Sequence, residues 1–266
     1  MRPIENLSPD SPAQRYEDTE GVKIHRSLLK TPDSAHLRIR ESYLGTGFKT
    51  YALRRGRMTG TQKSDYDTLA GRFCVPFAPD AGILDFEIVF GNPNPVVMEI
   101  GFGMGTATSR IAMENPQTNY LGIEVHTPGV ARLLGDIRRN SIGNIKIIEH
   151  DALEVCQAMI APESLAGIHV FFPDPWPKKR HHKRRLITLE RLAVIVPCLS
   201  RGGYFYMVTD WEEYARHALE TLGSAPRLRN SCEGFAQKQS WRPETKFEMR
   251  GKNESRAIWE LYFIKE

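Results

Sequence analysis

The stretch Val96-Val97-Met98-Glu99-Ile100-Gly101-Phe102-Gly103-Met104-Gly105 decides the fold. Five residues, apolar except for Glu99, run straight into three glycines at alternate positions. An apolar run of that length, ended by glycine, suits a parallel strand buried on both faces. Glycines at a strand-to-helix turn let the backbone approach a ligand and open the helix beneath it. Thr106 to Glu114 reads as that helix, stopped by Asn115-Pro116.

Outward from this unit the same alternation recurs. Further strands are expected at Asn119 to Val125, Ile145 to Glu149, Ile168 to Phe172 and Gly203 to Thr209. Helices are expected at Pro128 to Asn140, Ala152 to Ile160, Leu186 to Leu199 and Glu212 to Leu222. Alternating apolar residues from Ala257 to Ile264 suit a last strand. Strands alternating with helices predict an α/β chain, a doubly wound and mostly parallel sheet. That domain is expected to cover residues 63–266. Before it, residues 1–62 read as a tail and basic arm, at least partly disordered: residues 1–20 are rich in Pro, Ser, Asp and Glu.

The whole chain has 266 residues, 41% of them hydrophobic and 26% charged, ordinary globular usage that can bury a sizeable core. Its longest apolar runs, Leu165 to Phe172 and Leu192 to Leu199, are too short to span a bilayer. The N-terminus carries charges and prolines where a signal peptide needs an apolar stretch. The four cysteines form no C-x-x-C pair, so neither a zinc knuckle nor a disulfide framework is expected. These features predict a soluble, cytoplasmic protein with no membrane partner, no metal and no obligate protein partner. The net charge of +4 hides its distribution: residues 22–63 carry net +8 and residues 178–266 net +7, around an acidic middle. Basic blocks of this kind can neutralise phosphates.

The glycine spacing separates two ligand classes. A dinucleotide loop reads G-x-G-x-x-G, whereas here the third glycine arrives one residue early and Glu99 precedes the first. An acid there suits a ligand carrying an ammonium group better than a pyrophosphate. The pattern E-x-G-x-G-x-G over Glu99, Gly101, Gly103 and Gly105 resembles the first motif of class I S-adenosylmethionine-dependent methyltransferases, with their Rossmann-like sheet. Glu124 ends the second strand, where an acid can hydrogen-bond ribose hydroxyls. Asp151 follows the third strand, where the resemblance implies an acid at the adenine amino group, although Asp before a helix is also a common N-cap. An oxidoreductase binding NAD on the same sheet is the rival reading of this loop.

After the fourth strand comes Phe171-Phe172-Pro173-Asp174-Pro175-Trp176-Pro177, then Lys178-Lys179-Arg180-His181-His182-Lys183-Arg184-Arg185. Prolines stiffen a loop that holds one carboxylate and one aromatic ring. Six permanent cations in the next eight residues then join a base-sized slot to a phosphate-binding run, which reads as RNA recognition. Carboxylate and aromatic also sit where exocyclic-amine methyltransferases bind their target, a second rival reading.

The full signature P-D-P-W-P-K-K-R-H-H-K-R-R resembles that of bacterial tRNA (guanine-N7-)-methyltransferases, over roughly residues 48–266. Thr209-Asp210-Trp211 and the segment Arg242 to Gly251 agree with it. The resemblance implies transfer of a methyl group from S-adenosylmethionine to N7 of a guanine in the tRNA variable loop, leaving S-adenosylhomocysteine. It implies that Glu99, Glu124, Asp151 and Asp174 surround the cofactor, with Asp174 as the active-site acid. It implies that Lys178, Asp210, Thr245, Lys246, Phe247 and Glu248 contact the substrate, and that Arg180, His181, His182, Lys183, Arg184 and Arg185 contact the RNA.

Overall fold

The computed structural model describes residues 29–30, 49–51, 56–244, 248–249 and 256–266. The expected disorder of the N-terminal tail lies outside the described residues, as does most of the basic arm. The strands are β1 (Leu29–Lys30), β2 (Ile83–Leu84), β3 (Val96–Ile100), β4 (Asn119–Glu124), β5 (Ile145–Glu149), β6 (Leu165–Phe171), β7 (Leu199–Thr209), β8 (Leu228–Asn230) and β9 (Trp259–Lys265). The helices are α1 (Gly60–Phe73), α2 (Phe86–Phe90), α3 (Thr106–Glu114), α4 (Thr127–Asn140), α5 (Ala152–Met159), α6 (Leu189–Ile195) and α7 (Glu212–Gly223). Seven strands form one sheet in the order β5-β4-β3-β6-β7-β9-β8. β5 through β7 are parallel, while β9 runs antiparallel to both β7 and β8. The doubly wound, mostly parallel sheet expected from the alternation is therefore present.

Side-chain alternation along the strands separates two faces. Met98, Ile168, Val170, Phe205, Met207, Leu261 and Phe263 share a buried cluster with Leu153, Leu192 and Tyr214 from α5, α6 and α7. On the other face, Val97, Tyr120 and Ile147 pack against Ile111 of α3 and Val130, Leu133 and Leu134 of α4. Further along that face, the rings of His169, Tyr204 and Tyr206 lie against Trp241, which stacks on His169 with centroids 4.8 Å apart. Burial holds the His169 imidazole neutral, at a pKa of about 3.

Two segments depart from the expected pattern. The boundary placed between residues 62 and 63 falls inside α1, so the folded unit begins no later than its N-cap, Thr59. Thr59 and Gln62 form a capping box, each side chain bonding the other's backbone N–H, at 3.2 and 2.9 Å. The single helix expected over residues 186–199 is shorter: Pro197 brings a 3-10 turn at Val196–Cys198, and β7 starts at Leu199. Among the described residues, no helix is long and apolar enough to cross a membrane.

Candidate active site at the carboxyl edge of the sheet

The chain leaves β3 towards β4 and β5, then returns to β6 on the other side of β3. The crevice at such a reversal, outside the carboxyl ends of the strands, is where open α/β sheets bind ligands. A cavity of about 310 Å³ opens there, within the size range of small-molecule sites. Its wall includes Gly101 from the glycine loop, Glu124 at the end of β4 and His126 after it, His150 and Ala152 after β5, and Phe172 to Asp174 after β6.

Close packing dictates the glycine loop. Gly105 is left-handed (φ 71°), and a Cβ there would sit 2.8 Å from Leu133 Cβ. Gly129, in the first turn of α4, faces the loop so tightly that a Cβ would lie 2.0 Å from the Gly103 carbonyl oxygen. Glu124 ties the two together: its carboxylate accepts N–H bonds from Gly103 (2.7 Å), Val125 (2.7 Å) and His126 (3.0 Å). It shapes the loop from below while also forming part of the cavity wall.

The other acids are placed differently. Glu99 is not on the wall; it is 2% exposed, and its Oε2 is buried with no hydrogen-bond partner among the described residues. Burial pushes this carboxyl up to about 7, partly offset by the Thr108 hydroxyl. Asp151 caps α5, accepting from Leu153 N at 2.8 Å, and burial raises its pKa as well. The N-cap reading of Asp151 thus holds, although its neighbours His150 and Ala152 both line the cavity. Asp174 is exposed on the cavity wall and takes no hydrogen bond from the described residues. Of the expected cofactor-side residues, the wall brings together Gly101, Glu124 and Asp174, while Glu99, Gly103, Gly105 and Asp151 stand behind or beside it.

The proline-rich loop is held under tension. Phe172 and Trp176 both occupy the left-handed region, at φ 50° and 46°, at a cost of about 1–3 kcal/mol each for such bulky residues. Trp176 donates Nε1–H to the Thr50 carbonyl at 3.1 Å, with the Arg184 guanidinium 4.8 Å from its ring centroid. Arg185 anchors the loop from inside. Its Nε donates to the Pro175 carbonyl at 2.9 Å, and its two terminal nitrogens grip both carboxylate oxygens of Glu213.

Arg185 is fully buried, which corrects the expectation that it contacts RNA. A guanidinium enclosed by Pro175, Glu213 and the Tyr214 ring has no face left for a phosphate. Lys178, Arg180 and Lys183 are exposed, with His181, His182 and Arg184 half-buried, along a short 3-10 helix at Lys179–Arg184. Asp210 pairs with Arg256. Glu248, which the resemblance places at the substrate, is helical and 1% exposed. The buried Arg242 holds it at 2.6 Å and Glu260 at 2.7 Å, so it anchors the C-terminal segment rather than facing solvent. Thr245, Lys246 and Phe247 lie outside the described residues.

Sequence reasoning missed several wall residues. Thr50 and Tyr51 come from the arm assigned to RNA, and His126 and His150 flank the acids that drew attention. His150 stacks on Phe77 with centroids 3.6 Å apart. No periodicity marks these positions; His126 and His150 were readable only as neighbours of strand-end acids.

The sequence profile of a family described as putative methyltransferase matches residues 93–261. A tRNA (guanine-N(7)-)-methyltransferase of Bordetella pertussis is 47% identical over 218 residues, 82% of this chain and 85% of that protein. One from Paraburkholderia xenovorans is 48% identical over 217 residues, covering 82% and 83%. One from Treponema pallidum is 47% identical over 240 residues, covering 81% and 95%. The crystal structure of the 16S rRNA methyltransferase KamB shares the fold alone, with a TM-score of 0.51 and 13% identity over 68% of this chain and 93% of that one. With such identity across four-fifths of its length, the chain belongs to the tRNA (guanine-N7-)-methyltransferase family.

Proposed function

We propose that the chain transfers a methyl group from S-adenosylmethionine to N7 of a guanine in the variable loop of tRNA. The carrying observation is an exposed carboxylate, Asp174, that takes no hydrogen bond from the described residues, on the wall of the cavity and in the loop that leads into an exposed basic run. Relatives 47% and 48% identical over 82% of the chain are named tRNA (guanine-N(7)-)-methyltransferases.

The residues fit the cofactor. Glu124 and Gly101 offer polar groups on the wall, Ile123, Val125, Ala152 and Leu186 offer apolar ones, and Glu99 Oε2 is an orphaned acceptor behind the glycine loop. Bound S-adenosylmethionine supplies an electrophilic methyl group on a sulfonium. Guanine N7 carries an in-plane lone pair, so no protein base has to deprotonate it before attack. The chain's task is placement and exclusion of water. Asp174, braced by a strained loop, accepts N–H bonds from the guanine edge and offsets the positive charge that grows on the purine. Lys178, Arg180, Lys183 and Arg184 hold the tRNA backbone by its phosphates.

The experiment is transfer of a labelled methyl group to tRNA, beside equilibrium binding of S-adenosylhomocysteine and of NAD. Label in tRNA and affinity for S-adenosylhomocysteine alone are expected. Binding of NAD with no transfer would support the oxidoreductase reading and refute this one.

A further inference from the structure

Residues 49–51 belong to the arm whose charge suggests RNA, yet two of them, Thr50 and Tyr51, are part of the cavity wall. Their position is imposed from the protein side. Trp176 Nε1 holds the Thr50 carbonyl at 3.1 Å, and Trp176 is itself fixed by the proline loop and by Arg184. A second fixed point follows in the chain: at Gly56 a Cβ would lie 2.7 Å from His126 Nε2 and 2.9 Å from Pro128 Cγ. Thr50 and Gly56 are therefore seated at two places beside the cavity, the loop after β6 and the turn after β4.

Two phenyl-type rings stand on the wall, and they serve different ends. Phe172 belongs to the loop beside Asp174. Burial, with the Asp151 carboxylate and to a lesser degree Glu154, raises the pKa of the Tyr51 phenol and keeps it neutral. Lys49 covers the ring at 5.5 Å from its centroid. The sheet edge offers Ile123, Val125 and Ala152 as one apolar wall. A planar purine in such a slot is bound best when an aromatic ring closes the opposite side.

We infer that Tyr51 is a cofactor-contacting residue, its ring stacking on the adenosyl end of the ligand in the cavity whose wall it shares with Val125 and Ala152. The ligand class is an adenosyl sulfonium or its thioether product, and the inference rests on the function proposed above. It divides the basic arm into two tasks, since Tyr51 serves the cofactor while its neighbour Thr50 is bound to the loop that carries Asp174. Stacking rather than the hydroxyl supplies the contact, so the aromatic ring is what must be kept.

The test measures S-adenosylhomocysteine binding calorimetrically on the full chain, with Tyr51→Phe and Tyr51→Ala beside the unaltered protein. Tyr51→Ala is expected to weaken binding about tenfold, with the kinetic loss falling on KM for S-adenosylmethionine rather than on KM for tRNA. Tyr51→Phe should bind within about twofold of the unaltered protein. Thermal melts of all three exclude unfolding as the cause. Unchanged affinity in Tyr51→Ala, or equal loss in Tyr51→Phe, would overturn the inference while leaving the methyl-transfer reading intact. Failure of the unaltered protein to bind S-adenosylhomocysteine would overturn both.

Discussion

Arg184 lies over the Trp176 ring with its guanidinium partly open to solvent, whereas Arg185 is sealed between Pro175, Glu213 and Tyr214. The two are adjacent in one basic run, and the turn of the short 3-10 helix sends them opposite ways. One motif thus has a side that faces ligands and a side that faces the protein. Charge counting treats both sides alike. Only the outward one adds to the field that tRNA meets, while the inward one holds the Pro175 carbonyl, next to Asp174.

The largest expected effect is on the outward side, at Asp174. Asp174→Ala should lower turnover about 10²–10³-fold while S-adenosylhomocysteine affinity changes little, read by single-turnover kinetics and calorimetry. Turnover near that of the unaltered enzyme would remove the carboxylate from the reaction. The next largest lies on the inward side. Arg185→Ala should destabilise the fold by roughly 2–3 kcal/mol, measured by denaturant unfolding, because it strips the Pro175 carbonyl of its partner and empties a packed space. A stability loss below about 0.5 kcal/mol would break the comparison with Arg184.

Glu99 tests the inward side by pH. Its carboxyl titrates near 7 in the fold against 4.5 ordinarily, because burial penalises the charge. Between those values the unfolded chain ionises and the folded one does not, so stability falls as pH rises. Glu99→Gln should therefore gain melting temperature over the unaltered protein as pH climbs from about 4.5 to 7, with no growing difference below that window. A pH-independent difference would show that the acid titrates normally. The smallest effect belongs to Arg184→Ala, which should leave stability within about 0.5 kcal/mol and reduce the salt slope of tRNA binding by about one. An unchanged slope would mean that Arg184 serves Trp176 alone.

The same division governs how much was legible in the sequence. The strands β3 to β6 were readable because a strand buried on both faces has to be apolar throughout, and glycine or an acid ends it abruptly. The strand-end acids were readable for the same reason, since their positions follow from the strand ends. α1 escaped because it is polar over most of its length, burying only Asp65 and Phe73, although its T-x-x-Q capping box stands plainly at Thr59 to Gln62. The fate of Arg185 depended on Glu213, 28 residues away, and that of Glu248 on Arg242, which also holds Glu260, 18 residues from it; no local pattern announces either arrangement. Tyr51 was hidden for the opposite reason: its surroundings in sequence are strongly basic, and the cavity it lines is assembled from the ends of β3, β4, β5 and β6.

Methylation at guanine N7 leaves its own mark in the chemistry of the product. Methylation at N7 makes the purine cationic, so after reduction and aniline treatment the RNA chain breaks at that nucleotide. tRNA incubated with the protein and S-adenosylmethionine should be cut at a single guanine of the variable loop, and tRNA incubated with the Asp174→Ala protein should remain whole. Incorporated methyl label without any scission would place the methyl group on an atom other than N7 and contradict the account.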